Sequence, residues 1–129
     1  MPQVAYAEAP IDLIGGVQAV HRLASVFYDL IEEDPAYAEL RAMHAADLDP
    51  LRESLAGFLA AWLGGPRDWF ATHPGICMMS LHRGMPITAL SAGQWVSAME
   101  RAMAAIDLRR DIGEAMLSRF RAMADAMAR

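Results

Sequence analysis

Four histidines, a lone cysteine, Tyr28 and Trp95 are the residues of this chain with the means to do chemistry. His21, His44, His73 and His82 form no i, i+4 pair of the kind that holds zinc on a helix. The chain carries no CxxC, HExxH or GxSxG motif and no glycine-rich phosphate loop after a strand. His82 differs from the others in its setting. In residues 80–87, Ser-Leu-His-Arg-Gly-Met-Pro-Ile, it stands beside a helix-breaking Gly84 and Pro86, with apolar residues on either side. An imidazole in such a place can bind a metal, but a lone histidine is more often a surface or hydrogen-bonded core residue. Cys77, five positions before His82, adds little. By residue type alone, all four histidines stay open between these roles.

The segments that must position these side chains read as helices. Pro10 opens a short turn over 11–14 that Gly15-Gly16 ends. Residues 17–31 then place Val17, Val20, Leu23, Ala24, Phe27, Leu30 and Ile31 at helical spacing. Tyr28 lies close to that inward stripe, and a buried phenol needs a partner in the core or on a ligand. Asp34-Pro35 closes the helix, 37–43 has room for one or two tight turns, and His44 precedes a connector. Asp49-Pro50 reads as an N-cap and first helical residue. Leu51, Leu55, Phe58, Leu59, Trp62 and Leu63 follow as one apolar face, stopped by Gly64-Gly65-Pro66. Residues 67–81 have no clear period; Trp69 and Phe70 look buried, and 76–81 reads as a turn rather than a strand. Ser91-Ala92-Gly93-Gln94 matches a capping box. Trp95, Met99, Ala102, Met103 and Ile106 continue as a buried face, and a last helix runs over about 110–128.

Composition narrows the field. A chain of 129 residues is one domain, with 1–10 as an N-terminal extension. A net charge of −5 and the absence of a basic run argue against nucleic acid or an anionic membrane as partner. No apolar run approaches the ~18–20 residues of a membrane span, and no secretory leader is apparent. One cysteine excludes an internal disulfide and fits a reducing, cytoplasmic setting. The ten methionines suit the edge of an irregular flat ligand and suit helix cores equally.

Several of these pieces in order resemble a known family. Gly15-Gly16, Phe27-Tyr28, Met43-His44, the Phe58-Leu59 to Gly64-Gly65-Pro66 block, Leu81-His82 through Pro86-Ile87, and Gln94-Trp95 are similar to the truncated haemoglobins, group II in particular. The likeness spans about residues 11–128. It implies an all-α fold, a truncated globin in a two-over-two helical sandwich around a haem pocket.

The resemblance also implies roles. His82 would be the axial ligand of the iron of haem b, leaving the opposite face open to O2 and other diatomic gases. Leu55, Phe58, Trp69, Arg83, Met85 and Trp95 would contact the haem. Tyr28, His44, Trp95 and Leu51 would surround the gas. Leu51 stands where larger globins carry a distal histidine, so the polar work passes to Tyr28 O–H, Trp95 Nε1–H and His44. The basic residues that hold the haem propionates in many relatives are here Leu81 and Ser54, with Arg83 and Arg52 as substitutes.

Two hydrogen bonds on a bound gas, at roughly 1.5–3 kcal/mol each, would slow its release on the order of 10²–10⁴-fold. Such a site suits reaction of oxygen with nitric oxide, peroxide reduction or ligand sensing better than oxygen transport. The leading expectation is a haem- and oxygen-binding truncated globin with redox chemistry on reactive oxygen or nitrogen species. It would act as a monomer or homodimer and draw electrons from a partner reductase. The alternatives are a gas or redox sensor and a cofactor-free helical interaction domain.

Overall fold

The computed structural model describes residues 9–66, 71 and 85–128. The described elements are helices, in the order α1 (Pro10–Leu13), α2 (Gly16–Glu33), a 3-10 turn (Pro35–Tyr37), α3 (Ala38–Ala42), α4 (Asp49–Trp62), α5 (Ala89–Ala105) and α6 (Arg110–Met127). The pair α2/α4 packs over the pair α5/α6, with α2 against α5 between them. This is the two-over-two sandwich that the resemblance implies.

The central element is α2, whose 18 residues span about 27 Å. Its inward stripe of Val20, Leu23, Phe27 and Ile31 is at most 1% exposed. Burying each such side chain contributes roughly 1.5–3 kcal/mol. Val17, expected on that stripe, is instead 39% exposed in the first turn of the helix.

The glycines at the helix breaks have two distinct uses. Gly15, Gly16 and Gly64 adopt positive φ, at 112°, 79° and 92°, a region that costs other residues strain. Gly65 serves close approach: a Cβ there would lie 2.5 Å from Ile11 Cδ1 and 2.9 Å from the Ala60 carbonyl oxygen. The Ile11 N–H donates to the Leu63 carbonyl at 3.1 Å, so α1 is clasped to the end of α4.

Two helix starts differ from the sequence reading. Asp49 is already helical, with Leu48 in the cap position, and its N–H donates to the Asp47 carboxylate at 3.0 Å. The capping box of α5 is built from Thr88 and Ser91, not from Ser91 and Gln94. Ser91 N–H donates to Thr88 Oγ1 at 3.1 Å and Thr88 N–H donates to Ser91 Oγ at 3.0 Å. Both four-residue windows begin with a good N-cap. The earlier one forms, and Gln94 instead bonds Leu40 and Glu39. The irregular 67–81 stretch, Ala71 apart, lies outside the described residues, as does the extension before residue 9.

Candidate functional site

A cavity of about 480 Å³ opens between α2, α4, α5 and α6. That is within the roughly 300–1,000 Å³ of small-molecule sites. The helix α4 supplies one wall, with Leu51, Ser54, Leu55, Phe58 and Leu59 at helical spacing. Phe120, Met123, Ala124 and Met127 of α6 supply another, and Met85 and Ile87 close the approach to α5. Among the described residues, side-chain polar atoms enter from Tyr28, His44, Ser54, Ser91 and Trp95.

Tyr28 is 6% exposed at the end of the α2 stripe. Its ring meets Phe27 edge-on at 5.0 Å and His44 edge-on at 5.8 Å. Burial pushes its phenol up to about 12, while the Arg52 guanidinium pulls the other way. At neutral pH the hydroxyl therefore keeps its proton and can donate. Trp95 is held by two edge-on contacts, to Phe27 at 5.1 Å and to Phe120 at 5.0 Å, which fix the plane of the indole.

His44 is oriented by α3, the helix that precedes it. Its Nδ1 lies 2.8 Å from the Leu40 carbonyl. A carbonyl only accepts, so Nδ1 carries the proton, and in the neutral ring Nε2 is the accepting nitrogen.

The structure brings together Tyr28, His44, Leu51, Leu55, Phe58, Met85 and Trp95 on one cavity. His82, Arg83 and Trp69 lie outside the described residues, as do Leu81 and Cys77. Ser54 lines the cavity. Arg52 does not: its guanidinium donates to the Ser25 carbonyl at 2.6 Å and pairs with Asp29 at 2.9 Å, tying α4 to α2. The described methionines divide between the two uses expected of them. Met99, Met103 and Met116 are core, while Met43, Met85, Met123 and Met127 line the cavity. Leu40, Ile87, Ser91 and Ala92 line it as well, without having been singled out by the sequence. The spacing of Ser91 and Ala92 to Trp95 on one helix face was the available signal.

Among the described residues no group of three or more His, Cys, Asp or Glu could hold a metal ion. The apolar walls of α4 and α6 fit the faces of a porphyrin macrocycle. Among the described residues no helix is long and apolar enough to cross a membrane.

A family model for bacterial-like globins matches residues 11–129. The chain belongs to the bacterial-like globin family. This globin is 29% identical over 111 residues to the group 2 truncated hemoglobin YjbI of Bacillus subtilis (strain 168), covering 86% of this chain and 81% of that protein. Among solved structures it is similar to the group II 2-on-2 hemoglobin of the plant pathogen Agrobacterium tumefaciens, with a TM-score of 0.92, 25% identity and 98% of both chains covered. It is also similar to the truncated oxygen-avid haemoglobin of Bacillus subtilis, with a TM-score of 0.85 and 28% identity over 95% of this chain and 100% of that one. The all-helical, two-over-two architecture is thus that of a group II-like truncated globin.

Proposed function

We propose that this globin binds haem b in the cavity between α2, α4, α5 and α6 and uses it to hold oxygen and other diatomic gases. The observation that carries the reading is the convergence of Tyr28, His44 and Trp95 on one largely apolar cavity. Family membership supports it. His82 is the proposed axial ligand, on the strength of its place in the sequence. Leu55, Phe58 and Met85 would grip the macrocycle by apolar contact, with Trp69 and Arg83 as further contacts from the sequence reading.

Haem supplies an iron centre that binds diatomic gases and exchanges electrons with a partner reductase. The chain's own residues set what happens to the gas. Tyr28 holds a phenol proton that burial keeps in place, and Trp95 offers an indole N–H on a ring clamped by two phenyl groups. Both donors stand on rings packed in place on α2 and α5, which favours tight retention. Leu51, Leu55 and Phe58 exclude water, which strengthens those hydrogen bonds. Tight retention favours redox chemistry on reactive oxygen or nitrogen species over oxygen transport.

Optical spectra of the ferric, ferrous and CO-bound protein test the proposal. A strong Soret band after expression with haem available, lost in His82→Ala, is the expected result. A colourless protein that takes up no haemin would favour a cofactor-free interaction domain instead.

A further inference from the structure

Gln94 precedes Trp95 on α5 but turns away from the cavity and into α3. It is 9% exposed. Its Oε1 accepts the Leu40 N–H at 3.0 Å, and its Nε2 donates to the Glu39 carboxylate at 2.7 Å. That donated bond holds the Glu39 carboxyl below the usual carboxylate range. Leu40 is 5% exposed, so its N–H has little access to water.

Helix α3 has five residues, too few to persist unaided. The Leu40 N–H belongs to its first turn, where a helix leaves its donors without internal partners. Gln94, 54 positions along the chain, supplies the acceptor. The carbonyl of the same Leu40 takes the His44 Nδ1–H at 2.8 Å and the Met43 N–H at 3.1 Å. One residue is therefore gripped from both ends, by Gln94 at its nitrogen and by His44 at its oxygen.

Two further residues of the same α5 face reinforce the grip. Ser97 Oγ lies 3.0 Å from the Tyr37 hydroxyl. The Arg101 guanidinium donates to that hydroxyl at 3.1 Å and to the Asp34 carboxylate at 2.7 Å. Positions 94, 97 and 101 recur at i, i+3 and i+7, one edge of a helix. Together they dock the whole 34–44 segment onto α5.

We propose that Gln94 is a positioning residue for the gas site: by holding Leu40 it sets the seat of α3 and fixes His44 as the Nδ1–H tautomer facing the cavity. This inference rests on the reading of His44 as a neighbour of the bound gas. It couples that histidine to the helix that carries Trp95, so the two polar groups move as one.

The test exploits the pairing of one amide with one carboxylate. Gln94→Leu removes the acceptor. Gln94→Glu leaves an acceptor but sets it against Glu39. The double exchange Gln94→Glu with Glu39→Gln can rebuild both bonds with the roles reversed. The readout is the ring ¹⁵N shifts of His44 in the haem-loaded, ferrous, CO-bound protein, alongside the oxygen dissociation rate. In the parent protein Nδ1 should carry the proton and Nε2 should not. Both single variants should lose that signature and change oxygen release by at least about threefold, a shift of roughly 0.7 kcal/mol. The double exchange should restore both. Unchanged His44 shifts in the single variants overturn the proposal, and so does a folded double exchange that fails to restore them. If Gln94→Leu does not fold, the glutamate variant and the double exchange decide. His44→Leu separates the two readings. Unchanged oxygen release there would refute the gas-site role of His44, while the ring shifts would still judge Gln94.

Discussion

The two sides of the cavity are held in place by different forces. On the α3 side, Asp34, Tyr37, Leu40 and Glu39 are fixed to α5 by directional bonds from Arg101, Ser97 and Gln94. On the α6 side, Phe120, Met123, Ala124 and Met127 meet the cavity with hydrocarbon and thioether alone. Hydrogen bonds weaken steeply with angle, so the first side is suited to hold a polar group in one orientation. Methionine adapts its shape at little cost, so the second is suited to receive a large apolar edge. The α3 side is built for angle and the α6 wall for fit.

The sharpest way to break this contrast is to delete the donors and keep the rings. Tyr28→Phe combined with Trp95→Phe should raise the oxygen dissociation rate on the order of 10²–10⁴-fold, measured by stopped flow, since each lost bond is worth roughly 1.5–3 kcal/mol. An unchanged rate would mean that neither donor reaches the gas.

A smaller effect should appear in alkali. The Tyr28 phenol is pushed up to about 12 in the folded protein, against about 10 in an unfolded chain. Below pH 10 both states keep the proton and stability is unaffected. Between pH 10 and 12 the unfolded chain releases it and the folded one does not, so stability falls by about 3 kcal/mol across that window. The chain contains no lysine, which leaves the window unusually clear of other amines. Urea unfolding at pH 9, 10.5 and 12 should show a fall that Tyr28→Phe removes.

The least effect is expected on the adaptable wall. Met123→Leu with Met127→Leu conserves volume and should cost under about 1.5 kcal/mol for each exchange. Oxygen release should change less than about twofold. A large change in release would show that α6, too, controls orientation.

Most of the fold could be read from the apolar spacing. The stripe of Val20, Leu23, Phe27 and Ile31 and the face of Leu55, Phe58 and Leu59 have one helical interpretation, and Gly64-Gly65-Pro66 has one end. Seven of the expected site residues share the cavity for the same reason: they lie on inward faces of strongly periodic helices or in the tight connections between them. What could not be read was tertiary. Gln94 fits a capping box by type, yet its partner is 54 positions away and no local pattern announces it. Arg52 looked like a propionate anchor by position, but Ser25 and Asp29 on α2 engage its guanidinium. Short polar motifs are satisfied by more than one partner, whereas an apolar face has only the core to turn to.

Phe120 lies between two indoles. Trp62 stacks on it at 5.1 Å and Trp95 meets it edge-on at 5.0 Å. Two of the chain's three tryptophans thus sense the same few ångströms of interior. Their fluorescence is a built-in gauge of that spot, and a porphyrin arriving alongside would dim it by energy transfer. Pigment uptake can then be followed by light emission, with no label added.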